Sequence, residues 1–569
     1  MSAFQTKAWI HNYAAWTEPH LDYGDDTLVD FYDNNLEKNG NKSATYFFGR
    51  TQTYSDLDHQ VNAAAAGLKA FGIRPGDRVA LVLPNCPQHI AAFYAVLKLG
   101  ATVVEHNPLY TAHELEGLFN DHGARVAIAW DKAAPTLEKL RGKTPLETII
   151  SVNMTEAMPR RMQLLLRIPV PPITSKRDAL TGDAPNTVPW STLCSHAIGG
   201  SGKDIEYPVV TREDTALILY TSGTTGQPKG AMLSHGNMAS MVVMGDAWVP
   251  GLRDKQQRFL ATLPMFHVYG LTMVATLGPY VGAEMVLLPA PQIPLIIDVL
   301  KKHTPTFAPG VPTLYEKIIA AANEKNIEIT GIDNAFSGAS TLPVSTVEDW
   351  ENLTGGKLVE GYGLTETSPV ICGNPMNGKT RPGYVGLPFP DTEVRIANPE
   401  NLDETMPDGE EGELLVRGPQ VFKGYLNKPE ATKEAFHGDW FRTGDVGVME
   451  EDGFVRLVAR IKEIIITGGF NVYPAEVEEI LLTHPDITDV AVVGRPRHDG
   501  SEDVVACVTL RDGAALDPEG LKDFSRERLT RYKVPRTFYH FEELAKDQLG
   551  KIRRREVQQD LLAMLGEDK

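Results

Sequence analysis

Eleven consecutive residues, Tyr220-Thr221-Ser222-Gly223-Thr224-Thr225-Gly226-Gln227-Pro228-Lys229-Gly230, carry the strongest chemical signal in the chain. They follow the apolar run Ala216 to Leu219, so a strand is expected to feed straight into a loop of glycines and hydroxyls. Glycine lets backbone N–H groups close on phosphate oxygens with no Cβ in the way, while hydroxyls and the Lys229 ammonium add donors and charge. The chemistry implied is the holding of a polyphosphate. The spacing Gly-x-x-x-x-Gly-Lys-[Ser/Thr] does not fit these residues, which disfavours a kinase-type phosphate loop.

Seven further segments with chemically capable side chains follow in order: Leu263 to His267, Ser337-Gly338-Ala339-Ser340, Gly361-Tyr362-Gly363-Leu364-Thr365-Glu366-Thr367, Trp440 to Asp445, Arg460 to Glu463, Gly468 to Pro474, and Gly550-Lys551-Ile552. Each has a plain reading when taken alone. Asp445 would cap a turn, Tyr362 would be core, Glu366 would pair with a surface lysine, and His267 would be a hydrogen-bonded core histidine. Taken in register they resemble the adenylate-forming superfamily of acyl-CoA synthetases, luciferases and nonribosomal adenylation domains. The closest likeness is to bacterial long-chain fatty-acid:CoA ligases, carried by Val104-Glu105-His106-Asn107-Pro108-Leu109-Tyr110-Thr111, the insertion after Met158, and Gly469 to Pro474. Aryl-acid (coumarate-type) ligases share several of these features.

The resemblance implies a two-step reaction with ATP, Mg2+ and coenzyme A. Lys551 would reach the substrate carboxylate and the α-phosphate, Thr365 would bond the α-phosphate, and Glu366 would hold Mg2+. Thr224, Thr225 and Lys229 would cradle the β- and γ-phosphates, with Thr221, Ser222, Gly223 and Gly226 completing that loop. Gly338, Ala339, Gly361 and Gly363 fall in the nucleotide-binding segments. Asp445 would accept from the ribose hydroxyls, Arg460 would donate to the same sugar, and Tyr362 would set its ring against adenine. His267 would stand beside the carboxylate, with Val268, Tyr269, Gly270, Leu271, Val311 and Thr313 lining an acyl tunnel. A C-terminal domain hinged at Lys462 would deliver Lys551 for the first step and then turn Gly468 and Gly469 toward CoA. Rival readings are an aryl-acid:CoA ligase, an acyl-AMP ligase, or a non-catalytic fatty-acid-binding protein. A kinase would yield ADP instead of AMP.

Residues of this kind need rigid elements beneath them. Short β-rich runs alternate with helical stretches from Arg78 to Val152: strands over Val79 to Pro84, Ala101 to Val104, Arg125 to Trp130 and Glu147 to Val152, with helices over His89 to Leu99, Ala112 to Phe119 and Asp131 to Leu140. Such alternation predicts a parallel sheet covered by helices. A second α/β stretch runs from Thr215 to about Ile371, and a β-rich, glycine-punctuated stretch runs from Gly383 to Leu457. Residues from Ile461 onward read as a small α+β unit. The fold class is therefore α/β: two parallel-type α/β subdomains and a β-rich subdomain followed by a small α+β domain; the resemblance makes 1–459 an N-terminal AMP-binding (adenylation) region and 460–569 a mobile C-terminal domain.

The proline- and arginine-rich stretch 158–188 interrupts the rhythm and reads as an insertion or linker on the surface. Leu164, Leu165, Leu166 and Ile168 among its arginines offer weak peripheral contact with an anionic membrane as the alternative to an ordinary surface excursion. At 569 residues, 42% hydrophobic and 23% charged, the chain can bury a large core and falls outside the disordered and fibrous classes. A net charge of −19 argues against a nucleic-acid partner, which needs a basic footprint. Four scattered cysteines with no Cys-x-x-Cys pair indicate neither disulfides nor a zinc site. With no long apolar run near the N-terminus or elsewhere, a cytoplasmic enzyme acting on small molecules is expected.

Overall fold

A computed structural model describes residues 2–195, 205–222, 228–339, 342–460, 465–468, 470–472, 474–497, 501–511, 513–545, 552 and 554–566. Two large sheets form the body. In the eight-stranded sheet, Arg78–Val82 sits centrally between Thr102–Glu105 and Val126–Trp130, with Thr148–Val152 beyond, and all of these neighbours run parallel. The strand–helix alternation of the sequence produces this arrangement, because a parallel pair needs a crossover and the intervening helices supply it. The helix Pro87–Lys98 is buried along its whole length. Its Tyr94 stacks on Tyr32 at 4.3 Å and donates to the Ala275 carbonyl at 2.8 Å, which ties the layers of the body together.

The boundary expected near Thr215 is corrected by the strand pairing. The Thr215–Ser222 and Pro228–Ser234 hairpin completes the first sheet, with Val103 to Glu105 lying parallel to Leu217 to Leu219. The nine-stranded second sheet is built from Arg258–Ala261 onward, and its far edge is the hairpin Ser43–Phe47 and Arg50–Thr53 from near the N-terminus. Periodicity reports that a segment is a strand; only nonlocal pairing decides which sheet receives it.

The β-rich stretch forms a six-stranded antiparallel sheet that includes Glu393–Asn398, Gly412–Arg417, Trp440–Met449 and Val455–Arg460. C-terminal to it, Ile465–Thr467 pairs with Phe470–Val472, and Ile487–Pro496, Glu502–Leu510 and Thr537–His540 make a three-stranded sheet. Among the described residues these last two sheets share no ladder with the first three. The stretch 158–188 is more ordered than a linker: it forms the helices Arg160–Leu165 and Pro171–Leu180. No helix among the described residues is long and apolar enough to cross a membrane.

Candidate active site

Three parallel strands, Phe307–Gly310, Asn334–Ser337 and Lys357–Gly363, end side by side, so the segments that follow them converge at one edge. Open α/β sheets present their ligands at this carboxyl edge. Gly338 and Ala339 follow the second strand, and Ala339 holds φ of +70°, a left-handed conformation that costs an alanine energy and recurs at functional sites. The third strand runs through Tyr362 into the single turn Thr365–Thr367, which is fixed when the Thr367 hydroxyl accepts from the Leu364 N–H at 3.0 Å.

Glycine at 361 and 363 is demanded by packing. A Cβ on Gly361 would meet the Phe336 ring at 2.3 Å, and one on Gly363 would meet the Pro369 carbonyl oxygen at 1.7 Å. Gly338 faces the Tyr269 ring, 3.1 Å from where its Cβ would lie. These glycines let the site's strands pass close to their neighbours, whatever their N–H groups bind.

The segment expected to hold phosphate is carried by a β-hairpin. Thr221 lies opposite Lys229 and Ser222 opposite Pro228; Gly223, Thr224, Thr225 and Gly226 lie outside the described residues. The chain leaves this loop as a strand, and the next helix begins only at His235, with Ser234 capping it. That differs from a strand–loop–helix phosphate loop, in agreement with the failed Walker spacing. The hairpin meets the Thr365–Thr367 turn: the Thr221 hydroxyl lies 3.5 Å from Glu366 Oε1, and Glu366 is buried at 7% exposure.

Tyr362 and Asp445, both buried, meet through a short hydrogen bond in which the phenol donates to the carboxylate. Asp445 lies opposite Arg460 on the adjacent strand, so a two-strand ladder brings these expected sugar ligands together. His267 keeps an exposed surface between the buried residues Met265 and Val268. Its Nδ1 accepts from the Tyr269 N–H at 3.2 Å, and desolvation pushes its pKa down to about 4. The imidazole is therefore neutral at pH 7, with its proton on Nε2.

Val268, Tyr269 and Leu271 are packed into the main core. The following turn, Leu271–Thr276, is π-helical, a geometry that recurs at functional sites. Thr313 instead lines a cleft of about 740 Å³ together with Leu109 and Gly468. Lys317, Arg497, Lys522, Arg526, Arg531 and Arg536 surround the same space. Arg497 and Arg536 share Asp503, whereas Lys317 and Arg531 form no ion pair among the described residues. Gly468 sits in the turn of the 465–472 hairpin at φ of +58°. Lys462, Gly469 and Lys551 lie outside the described residues.

Two groups at the site carried no chemical signal in the sequence. Tyr425 donates to Glu366 Oε1 at 2.7 Å, and its ring lies 5.2 Å from the Lys229 ammonium. Lys533 reaches Glu114 Oε1 at 3.2 Å across the junction with the C-terminal sheets, and Glu476 Oε1 at 2.7 Å on its own side of it. The Tyr425 contact to Glu366 spans 59 residues, and Thr111-x-x-Glu114 reads locally only as a helix capping box.

The AMP-binding enzyme family matches residues 32–426, and the AMP-binding enzyme C-terminal domain matches residues 476–551. The chain belongs to this family of AMP-binding enzymes. It is 38% identical to a long-chain-fatty-acid–CoA ligase of Bacillus subtilis (strain 168) over 97% of each chain. It is 34% identical to a long-chain-fatty-acid–CoA ligase of Escherichia coli O6:H1, covering 97% of this chain and 98% of the relative. Its fold matches o-succinylbenzoate CoA synthetase of Bacillus subtilis with a TM-score of 0.76 at 24% identity, covering 94% of this chain and 99% of that one.

Proposed function

We propose that the protein joins a long-chain fatty acid to coenzyme A through an acyl-adenylate. A carboxylate oxygen attacks the α-phosphorus of ATP and releases pyrophosphate; the CoA thiolate then attacks the acyl carbonyl carbon and releases AMP. The observation that carries this reading is the meeting of the phosphate hairpin with the buried carboxylate of Glu366. Both reactants of the first step are anions, so catalysis requires cations and donors around the transferring phosphorus. Lys229, Thr221 and the hydroxyls of the 223–227 loop would hold the leaving pyrophosphate, Thr365 the α-phosphate, and Lys551 the attacking carboxylate. Tyr362, Asp445 and Arg460 would seat adenosine, with Gly338, Ala339, Gly361 and Gly363 shaping the walls.

The donor set at Glu366 fits Mg2+. That ion takes one or two carboxylates and completes its shell with substrate phosphates and water. Glu366 offers one carboxylate beside the phosphate hairpin, and no cluster of three or more metal-type ligands occurs among the described residues. Bound there with the phosphates, Mg2+ would neutralise charge on the leaving pyrophosphate. Neutral His267, donating from Nε2, would orient the carboxylate without adding charge.

The cleft between Leu109, Thr313 and Gly468 suits the second substrate, since its surrounding cations complement the phosphates of CoA's nucleotide. A catalytic region 1–459 and a mobile domain 460–569, hinged at Lys462, would let Lys551 and Gly468 serve successive steps. CoA-dependent AMP release across acetate, octanoate, palmitate, oleate and coumarate tests the substrate class. Palmitate or oleate should give the highest kcat/KM; preference for coumarate would replace this reading with the aryl-acid one.

Weak peripheral contact with an anionic bilayer is part of the same proposal. Leu164 is 63% exposed, and Leu165, Ile168 and Val170 stand out beside it. Met162 and Leu166 anchor the other side of this excursion to the body. Arg160, Arg161, Arg167 and Lys176 flank the exposed residues and have no ion pair among the described residues, a local positive patch on a chain of net charge −19. Cosedimentation with phosphatidylglycerol vesicles, lost in phosphatidylcholine vesicles and in Leu164→Gln/Leu165→Gln, is the expected result. Equal recovery of wild type and variant would overturn it.

A further inference from the structure

We infer that Tyr425 is a positioning residue that fixes the carboxylate of Glu366 and the ammonium of Lys229 in one relation to each other. The inference rests on the adenylation reading and adds to it the group that presets the phosphate- and metal-binding geometry. One aromatic side chain serves both partners. Its hydroxyl donates to Glu366 Oε1 at 2.7 Å, and its ring lies 5.2 Å from Lys229 Nζ, within cation–π range.

The surrounding backbone makes this contact a built one. The Phe422 N–H donates to the Glu366 carbonyl at 2.8 Å, and the Leu426 N–H donates to the Gly230 carbonyl at 2.7 Å. One short stretch therefore clamps both the turn that carries Glu366 and the strand that leaves the phosphate loop. Tyr425 pairs in register with Ala231, and its own N–H donates to the Thr432 hydroxyl at 2.9 Å. Gly424 permits the bend at φ of +138°, where a Cβ would lie 2.6 Å from Thr432 Cγ2.

The hydrogen bonding divides the carboxylate. Oε1 takes the Tyr425 hydroxyl, with the Thr221 hydroxyl at 3.5 Å; Oε2 has no hydrogen bond among the described residues. A carboxylate held by one oxygen presents the other in a fixed direction, and partners that orient a metal-binding carboxylate contribute strongly to affinity.

Calorimetric titration of the full-length chain with MgATP, and with ATP in the presence of EDTA, tests the inference by binding alone. Tyr425→Phe keeps the ring and removes the hydroxyl: MgATP should bind roughly 10- to 100-fold more weakly while metal-free ATP binds as in wild type. Tyr425→Leu removes the ring as well and should also weaken metal-free ATP, because Lys229 loses its seat. In a Glu366→Gln background Tyr425→Phe should add little further loss, since the hydroxyl acts through that carboxylate. Unchanged MgATP affinity in Tyr425→Phe, or additive losses in the double variant, would overturn the positioning role. Failure of the wild-type chain to bind ATP in either form would instead overturn the adenylation reading.

Discussion

Lys551→Ala should reduce adenylate formation by about two to three orders of magnitude, the scale of losing one preorganised charge-stabilising group in an active site. Acyl transfer to CoA from supplied acyl-adenylate should be nearly unchanged. In the first step a carboxylate must approach an α-phosphate that carries like charge, so a cation between them lowers the barrier where the repulsion is greatest. In the second step the phosphate is a leaving group already bonded to the acyl carbon, and the attacking group is a thiolate at carbon. Pyrophosphate exchange measures the first half and thioester formation from synthetic acyl-adenylate the second. Equal losses in the two assays would remove Lys551 from the adenylation step and make it a structural residue.

Glu114→Ala should give the opposite pattern, with thioester formation failing and adenylation persisting. The arrangement described has Gly468 lining the cation-lined cleft, and among the described residues Glu114 makes three polar contacts that hold the C-terminal sheets there. Glu114 Oε1 accepts from the Thr530 N–H at 3.1 Å, the Thr530 hydroxyl at 2.7 Å and the Lys533 ammonium at 3.2 Å. Both charged side chains are only 6% exposed. Burial works against the Lys533 charge, but the neighbouring Tyr110, Glu476, Tyr532 and Glu114 outweigh it and hold its pKa well above the ordinary value. Breaking a buried pair by removing one partner costs about 3–5 kcal/mol. If that cost falls on the docked arrangement alone, its population drops by roughly 10²–10⁴-fold. Glu114→Gln, which keeps an acceptor for Thr530, should lie between the two. A melting temperature that falls while both half-reactions keep their rates would show that the contact stabilises the fold and does not select a domain position.

Much of the site was legible in the sequence because its residues stand in runs. Tyr220 to Gly230 read as a phosphate loop, and the single stretch 361–367 kept Tyr362, Thr365 and Glu366 together: Tyr362 falls near the end of a strand, and Thr365 and Glu366 in the turn after it. The alternation of short apolar runs with helical stretches from Arg78 to Val152 likewise located strands and helices to within a few residues, since run length and the residues that bound each run are local properties. Capping also reads locally: Thr111 and Glu114 form a capping box at the start of the Ala112–His122 helix.

Tertiary structure decided everything that depends on distant segments sharing one place. The phosphate hairpin joined the first sheet, and residues 43–53 became the edge of the second, because ladder partners are chosen across the chain. Glu114 combined its cap with a contact to Lys533, which lies 419 residues away. Sequence alone thus pointed to the class of chemistry, through the types and order of the groups expected to bind a nucleotide. The fold determined which auxiliary groups hold them, because a hydrogen bond such as Tyr425 to Glu366 depends on position in space and leaves no periodic trace in the chain.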